Sequence, residues 1–381
     1  MAPIRVGLIG LSSNSTSGWA ANAHLPYLLS ERGQERFQIV ALLGSTVERA
    51  RDSIQHFKLP NPEAVRAYGS PAELAADPDV DLVVCSVRVD KHYDTIRPSV
   101  EAGKDVLVEW PLTENAVRAK ELVELSKKAG GRTAVAAQAR LAPYIVKIKE
   151  LLAAGVIGKV INSQVNINGK QESSDTIFPG LEYFADSKIG GNYYTIWFGH
   201  AWDPIQFVLG DVKDPHALVQ IQNPKLKILD RPGPGGKHFG EISTNSPDLV
   251  VVTASLSESP ITRSDAKLAF AWRTGSAFPD PKQPAFVWII TGEKGSLRLT
   301  SEAQYINTGA DATVELHDLE TGETKTVKWQ WQEWQKDVAG PVRNIGAIYE
   351  AIAEGDEAKY ATFEDALTRH EQLDSILEKF L

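Results

Sequence analysis

Residues 3–26 constrain the fold of this chain more than any other stretch. A short apolar run, residues 4–9, is followed by a loop rich in glycine and serine and then by a segment that can form a helix. A strand, a tight loop and a helix start place backbone N–H groups and the positive end of a helix where they can hold a phosphate. The residues predicted to bind a dinucleotide in this loop are Gly10, Ser12, Ser13, Gly18 and Trp19.

The glycine pattern of this loop is incomplete. Gly10 fits the first glycine of Gly-x-Gly-x-x-Gly, but Ser12 stands where the second is expected, and the loop continues to Gly18. Small hydroxyl residues can hydrogen-bond a pyrophosphate, so the prediction of a phosphate site survives this departure. A serine-rich surface turn is the alternative interpretation.

Short apolar segments alternate with helical ones as far as Arg140. Strands are predicted at residues 4–9, 37–43, 82–87, 105–109 and 133–138. Nearly all-apolar strands that are separated by helices indicate a parallel sheet covered on both faces. The pattern predicts an N-terminal α/β domain, residues 1–140, with a Rossmann doubly wound parallel sheet.

After Pro143 the predicted elements change from alternating strands and helices to mostly successive strands. Strands are predicted at residues 160–168, 216–222, 249–255, 266–273, 285–291, 296–300, 313–318 and 324–331, with helices at 340–354 and 362–380 at the end. Successive strands joined by turn residues favour antiparallel pairing. We therefore predict a C-terminal α+β domain, residues 141–381, built on an open, mostly antiparallel sheet of roughly six to nine strands.

Two irregular stretches, residues 224–247 and 274–284, interrupt the second domain. Both contain several prolines and glycines. Long loops without secondary structure are uncommon in compact domains and are often functional lids or oligomer arms. Disorder is the alternative for both stretches.

Composition and charge disfavour several classes of protein. The net charge is −9, so the chain has no general positive field for nucleic acid or for an anionic membrane. No apolar run approaches the ~20 residues that span a bilayer, and no secretory signal is visible. Cys85 is the only cysteine, which is typical of a reducing compartment. Neither a cysteine cluster nor a His-x-x-x-His pair predicts a metal site. We expect a cytoplasmic protein.

Several short motifs occur in one order along the chain. They are Val6–Gly10, His24 with Pro26, Val108–Leu112, Gln138-x-Arg140-x-x-Pro143, Gly190–Gly191 followed by His200-x-x-Asp203, and Thr362–Ala366. Together they resemble the glucose–fructose oxidoreductase/inositol dehydrogenase (Gfo/Idh/MocA) family across essentially the whole chain. The resemblance implies a nicotinamide cofactor in the first domain and a substrate over the open sheet of the second.

Within that family, the chain is similar to the fungal galactose-repressor subgroup. The segments that carry this similarity are Gly18–Ala20, Val108–Trp110 and Phe198–His200. Proteins of this subgroup keep the dinucleotide fold but serve as regulators. The resemblance therefore implies two different functions.

Two departures from the family pattern concern its catalytic groups. Trp110 occupies the place of the lysine that hydrogen-bonds the reacting hydroxyl in family dehydrogenases, and Ile196 occupies the place of a second carboxylate. His200 matches the catalytic or substrate-binding histidine, and Asp203 follows one helical turn later on the same face. His200 is therefore the predicted acid–base group with Asp203 as its partner, and Tyr194 is a further candidate proton donor. A buried His–Asp pair that only joins helix and sheet is the alternative.

The residues after the second strand bear on the choice of cofactor. NAD-specific Rossmann domains usually place Asp or Glu there, whereas this chain has Ser45, Thr46 and Arg49. Hydroxyl and guanidinium groups suit a 2′-phosphate, so NADP(H) is favoured and NAD(H) remains the alternative. The family resemblance adds further cofactor-binding candidates, which are His92, Glu109, Trp110, Gln138 and Arg140.

These observations lead to three hypotheses about function. The first is a nicotinamide-dependent oxidoreductase acting by hydride transfer on a small sugar-, polyol- or imine-like substrate. The second is a non-catalytic NAD(P)-binding transcriptional regulator that binds an activator protein and enters the nucleus. The third is redox-neutral, NAD(P)-dependent glycoside cleavage. In each case we expect a homodimer formed through the second-domain sheet, with no direct contact with nucleic acid or membrane.

Overall fold

The computed structural model describes residues 2–15, 17–169, 175–231, 235–275 and 283–378. Proximity of Cα atoms groups the chain into two compact units, Met1–Gln138 with Asp337–Glu371, and Ala139–Lys336 with Gln372–Leu381. The predicted domains, 1–140 and 141–381, remain a prediction. They differ from these units in the placement of residues 337–371.

The N-terminal unit contains a parallel sheet flanked by helices. Its strands are β1 (Ile4–Ile9), β2 (Phe37–Leu43), β3 (Arg66–Tyr68), β4 (Leu82–Cys85), β5 (Asp105–Glu109) and β6 (Thr133–Ala136). Its first six α-helices are α1 (Leu25–Leu28), α2 (Glu31–Arg36), α3 (Val47–His56), α4 (Pro71–Ala76), α5 (His92–Glu101) and α6 (Ala116–Ala129). A π-helical segment, Ala20–His24, leads directly into α1.

The strand order of this sheet is β3-β2-β1-β4-β5-β6, and every pairing is parallel. All four residues of β4 are buried, as expected for a strand covered on both faces. The predicted Rossmann doubly wound sheet is confirmed. The order reverses between β1 and β4, and such a reversal places a ligand crevice at the carboxyl ends of the strands. β3 was not predicted, because its sequence Arg-Ala-Tyr contains no apolar run.

The C-terminal unit is built around a second sheet. Its elements are α7 (Pro143–Ala153), β7 (Val160–Asn168), β8 (Thr176–Ile177), α8 (Gly199–Leu209), β9 (Val212–Gln220), β10 (Lys225–Leu229), β11 (His238–Ser243), β12 (Leu249–Leu256), β13 (Thr262–Arg273), β14 (Phe286–Gly292), β15 (Gly295–Ser301), β16 (Thr313–Asp318), β17 (Thr324–Val327) and α9 (Glu333–Lys336). Two helices follow in the chain. The first, α10 (Gly340–Glu354), belongs to the N-terminal unit, and the second, α11 (Phe363–Glu378), is divided between the two units after Glu371.

The main sheet of this unit has the strand order β17-β16-β15-β14-β7-β13-β12-β9. Only β7 and β13 pair in parallel among these eight described strands; the other pairings are antiparallel. The predicted open, mostly antiparallel sheet is confirmed. On its inner face, Phe270 of β13 packs against Phe198 and Trp202, with ring centroids 5.3 and 5.5 Å apart. This aromatic contact fixes α8 on the sheet.

The stretch 224–247 is not a continuous loop, contrary to the prediction. It contains β10 and β11, which pair as an antiparallel hairpin, and β8 pairs alongside β10. The alternation in Lys225–Leu229 is a strand pattern, which the prolines nearby obscured. The other irregular stretch, 274–284, lies mostly outside the described residues.

Candidate functional site

The loop after β1 requires glycine at its first position. Gly10 has φ +95°, and a Cβ atom there would lie 2.2 Å from the carbonyl oxygen of Ser86. This close approach lets the end of β1 pass beside the end of β4, which is where the sheet order reverses. No larger residue fits without moving the backbone.

The predicted loop residues lie just beyond this glycine. The Ser12 hydroxyl accepts a hydrogen bond from the Asn14 amide at 3.3 Å, and Ser13 is exposed. Gly18 has φ +58°. Trp19 follows it, and its indole N–H is buried without a hydrogen-bond partner among the described residues.

Gln138 lies two residues after the end of β6. Its side chain is 1% exposed, yet neither its amide nitrogen nor its amide oxygen has a partner within the described part of the chain. A buried amide left unpaired costs free energy, so such groups usually await a ligand or a water molecule. Nicotinamide carries a carboxamide with both a donor and an acceptor. The chemistry of Gln138 therefore fits that group.

The residues predicted to select the cofactor lie at the end of β2. The Thr46 hydroxyl accepts a hydrogen bond from the Arg49 amide at 3.2 Å and so caps helix α3. Ser45, Thr46 and Arg49 are all exposed. Their exposure at a helix N-terminus suits an anionic group.

His92 is fully buried rather than open to the crevice. One ring nitrogen lies 3.0 Å from the carbonyl oxygen of Val87 and the other 3.0 Å from that of Pro111. Burial lowers the pKa of His92. It joins the segments that follow β4 and β5. Its role in cofactor binding stays a prediction.

Trp110, at the family lysine position, is buried against a histidine. Its ring lies 5.1 Å from that of His370, with an angle of 32° between the planes. Burial, with a smaller contribution from His92, lowers the pKa of His370 to about 4. An indole against a neutral imidazole provides packing at a position where family dehydrogenases have an ammonium group.

Glu109, the last residue of β5, begins a buried hydrogen-bonded chain. Its Oε1 atom lies 2.7 Å from Nε2 of His24, and Nδ1 of the same ring lies 2.8 Å from the Tyr349 hydroxyl. The prediction placed Glu109 at the cofactor edge but did not include Tyr349. His24 and Tyr349 are 325 positions apart in the sequence, so no sequence motif could predict their contact.

In the C-terminal unit, two predicted site residues bind each other. Arg140 donates from Nε and Nη2 to the two carboxylate oxygens of Asp203 at 2.8 and 2.6 Å. Both side chains are buried. His200 lies in the first turn of the same helix, α8, and is 8% exposed. The cofactor-binding role of Arg140 stays a prediction, but its guanidinium is already bound to Asp203.

The Tyr194 side chain is buried inside the C-terminal unit and is hydrogen-bonded there. Its hydroxyl donates to the carbonyl oxygen of Leu373 at 2.8 Å, and its ring stacks on Phe198 at 5.3 Å. Burial raises the pKa of Tyr194 well above its ordinary value. Tyr194 is therefore not a proton donor in the function proposed below.

Every helix among the described residues is too short or too polar to span a membrane. No three His, Cys, Asp or Glu side chains in the same residues converge on a point where a metal ion could bind.

Two family descriptions match this chain in succession. Residues 4–137 match the oxidoreductase family GFO_IDH_MocA, described by its NAD-binding Rossmann fold. Residues 143–301 match the C-terminal domain of Gal80p. The first match lies within the predicted N-terminal domain, and the second covers residues 143–301 of the predicted C-terminal domain.

Individual relatives include both a dehydrogenase and a regulator. Dehydrogenase aclE of Aspergillus oryzae is 29% identical over 98% of this chain and 95% of its own length. The galactose/lactose metabolism regulatory protein GAL80 of Kluyveromyces lactis is 28% identical over 80% of this chain and 65% of its own length. A solved structure of a Gal80p super-repressor mutant from Saccharomyces cerevisiae has a TM-score of 0.83 at 23% identity, covering 99% of this chain and 96% of that one. The last similarity concerns the fold alone.

Proposed function

Because the chain belongs to the Gfo/Idh/MocA oxidoreductase family, we propose that it is a nicotinamide-dependent oxidoreductase acting on a small sugar-, polyol- or imine-like substrate. The observation that carries the proposal is the carboxyl edge of the N-terminal sheet. At this edge, Gly10 allows the backbone to pass close to the carbonyl oxygen of Ser86. The buried Gln138 amide there has no partner among the described residues. A Rossmann sheet binds its dinucleotide at this edge.

Residues of this edge would hold the cofactor, which supplies or takes up the hydride when bound. Gly10, Ser12, Ser13 and Gly18 would hold the pyrophosphate through backbone N–H groups and hydroxyls. Gln138 would pair with the carboxamide. We propose NADP(H) as the preferred cofactor, because the exposed Ser45, Thr46 and Arg49 provide hydroxyls and a cation for a 2′-phosphate.

His200 would exchange the proton that accompanies hydride transfer. An imidazole is the side chain whose ordinary pKa lies nearest neutrality, and general acid–base catalysis is typically worth 10²–10⁴-fold in rate. Asp203 would act through α8, because its carboxylate is bound by Arg140 and fixes the helix that carries His200. His200 is thus the catalytic candidate, and Asp203 and Arg140 are positioning residues.

The test begins with binding. Purified protein is titrated with NADPH and NADH while cofactor fluorescence is followed, and sugars, polyols and carbonyl compounds are then screened for oxidation or reduction of the cofactor. His200→Ala is expected to abolish turnover with unchanged cofactor affinity. His238→Ala, at an exposed position of β11, is the matched control and should retain turnover. Turnover that survives His200→Ala would remove His200 from the mechanism.

A regulator without turnover is the second candidate. The observation that favours it is Trp110, which packs on His370 at the family lysine position. The GAL80 relatives point the same way. Dinucleotide binding without turnover of any screened compound, together with retention of a transcription-activator peptide, would support the regulator over the enzyme.

We also propose a homodimer formed through the outer face of the C-terminal sheet. Leu218 on β9 is 76% exposed. Its neighbours in register on that face, Val251 of β12 and Ala271 of β13, are apolar and partly exposed. Apolar side chains that continue across strands are typical of an interface between subunits.

A further inference from the structure

Five aromatic side chains of the C-terminal unit form one continuous cluster, here called the aromatic wall, which consists of Tyr183, Phe184, Tyr193, Trp197 and Tyr305. Trp197 lies in its middle, with its ring centroid 4.4 Å from that of Tyr193 and 4.9 Å from that of Tyr305. All members except Tyr193 are half-buried, whereas the core rings Phe198 and Trp272 are 0% and 1% exposed. The wall therefore presents part of its carbon surface outside the core.

The aromatic wall lies on the same side of its helix as His200. Trp197 precedes His200 by three residues, and the backbone between them is helical, with φ −65° and ψ −41° at Phe198 and φ −59° and ψ −43° at Gly199. Side chains three residues apart on a helix share a face, with Cβ atoms about 5–6 Å apart. Trp197 itself belongs to a π-helical turn, Tyr193–Phe198, and such turns are frequent at functional sites. Local geometry thus places Trp197 beside the candidate acid–base group.

The phenol groups of the wall are hydrogen-bonded within the protein. The Tyr193 hydroxyl donates to the carbonyl oxygen of Thr176 at 3.1 Å, and the Tyr305 hydroxyl accepts from the Gln304 amide. A sugar ring buried against the wall would need a hydrogen-bond partner for each of several hydroxyls, because an unpaired buried hydroxyl costs free energy. An aromatic ring needs no such partner. The surface that the wall offers is therefore better suited to an aromatic ring than to a sugar.

We propose that the aromatic wall binds an aromatic ring of the substrate, and that Trp197 selects substrates in which this ring is attached next to the reacting carbon. The inference rests on the proposed oxidoreductase function and narrows its substrate class. The polyol- or imine-like group of the substrate would face His200, and the ring would pack on Trp197. Aromatic rings prefer offset or edge-to-face contacts with centroids about 4.5–7 Å apart, and the rings of the wall already pack on one another in this way.

The expected effect of the ring follows from the strength of such contacts. A contact between two aromatic rings is worth about two- to tenfold in affinity beyond the area that it buries. Burying a phenyl ring in place of a methyl group adds to this preference. We therefore expect kcat/KM to be at least about tenfold higher for a compound with a phenyl group than for its methyl counterpart.

The experiment compares two α-hydroxy ketones that differ only in this group, 2-hydroxyacetophenone and hydroxyacetone. Their reduction by NADPH is followed by absorbance, and their binding to the protein with NADP⁺ is measured by calorimetry. Trp197→Ala should lower the ratio of the two kcat/KM values about tenfold, whereas Trp197→Phe keeps a ring and should retain most of it. Trp334→Ala is the matched control, because this half-buried tryptophan of the same unit lies outside the wall and donates to Gln332 at 2.8 Å. It should leave the ratio unchanged.

The outcomes separate this inference from the proposed function. Turnover with the same kcat/KM ratio in the protein and in Trp197→Ala overturns the inference and leaves the oxidoreductase intact, as does a higher kcat/KM for glucose than for 2-hydroxyacetophenone. If a dinucleotide binds but no compound is turned over, calorimetry decides. Binding of 2-hydroxyacetophenone that Trp197→Ala weakens about tenfold supports the inference, and absence of binding overturns it. Failure of both dinucleotides to bind overturns the proposed function.

Discussion

Removing Arg140 should destabilise the C-terminal unit strongly at neutral pH and much less in acid. In the structure, two hydrogen bonds of 2.8 and 2.6 Å join its guanidinium to the Asp203 carboxylate. Asp203 is 2% exposed. In Arg140→Met the carboxylate loses its counter-ion but keeps its place in the core, and breaking a buried pair in this way costs about 3–5 kcal/mol.

The expected pH dependence gives an independent estimate of the free-energy cost of Arg140→Met. Without the Arg140 guanidinium, the Asp203 carboxylate can reduce this penalty by taking up a proton. Protonating an aspartate carboxylate with an ordinary pKa near 3.9 costs ~4 kcal/mol at pH 7 and only ~1.5 kcal/mol at pH 5. The destabilisation by Arg140→Met should therefore shrink by ~2.5 kcal/mol between these two pH values.

The assay is unfolding by urea and by heat at pH 7 and pH 5, each followed by circular dichroism. For a unit of this size, ~4 kcal/mol corresponds to a fall in Tm of roughly 8–16 °C. The double variant Arg140→Met/Asp203→Asn removes both charges and should recover most of the loss. The reasoning is refuted if Arg140→Met costs the same at both pH values, or if the double variant costs the sum of the two single changes.

Three further predictions concern other parts of the chain. Gly10→Ala should weaken dinucleotide binding by at least about tenfold in a fluorescence titration, while Gly130→Ala, also at positive φ but with open space around its Cβ, should not. His370 has a folded pKa of about 4, below its unfolded value, so stability is full above pH 6.5 and falls as pH drops to 4. His370→Leu should remove ~3 kcal/mol of that fall in unfolding measurements, and an unchanged slope would contradict the assigned environment. Leu218→Glu should shift the protein from dimer to monomer in sedimentation, while Leu319→Glu, at another exposed leucine, should leave it unchanged.

Local patterns were sufficient to predict most of the fold. β4 and β5 are short apolar runs between helices, and such runs are buried in a parallel sheet wherever they occur. β3 and the hairpin of β10 and β11 were missed for a different reason. β3 contains no apolar run, so only its pairing with β2 makes it a strand. The alternation in β10 is present in the sequence but stands among prolines and glycines that are typical of a loop.

The predicted site residues stay a prediction, and the contacts that they make with one another do not follow from the sequence. Asp203 was assigned to His200 because both lie on one helix face, whereas in the structure its carboxylate is bound by Arg140, 63 residues away. No motif in the sequence predicts the contact of Tyr349 with His24, because the two residues are 325 positions apart. Contacts between distant segments depend on tertiary packing, so spacing alone does not predict them.

The contact between Trp110 and His370 constrains substitutions at both positions. Restoring lysine at position 110 alone would put an ammonium group beside a buried imidazole and leave unfilled the volume of an indole. Both changes lower stability. A lysine at position 110 would therefore need a second substitution at position 370 to be tolerated, so the two positions can change only together.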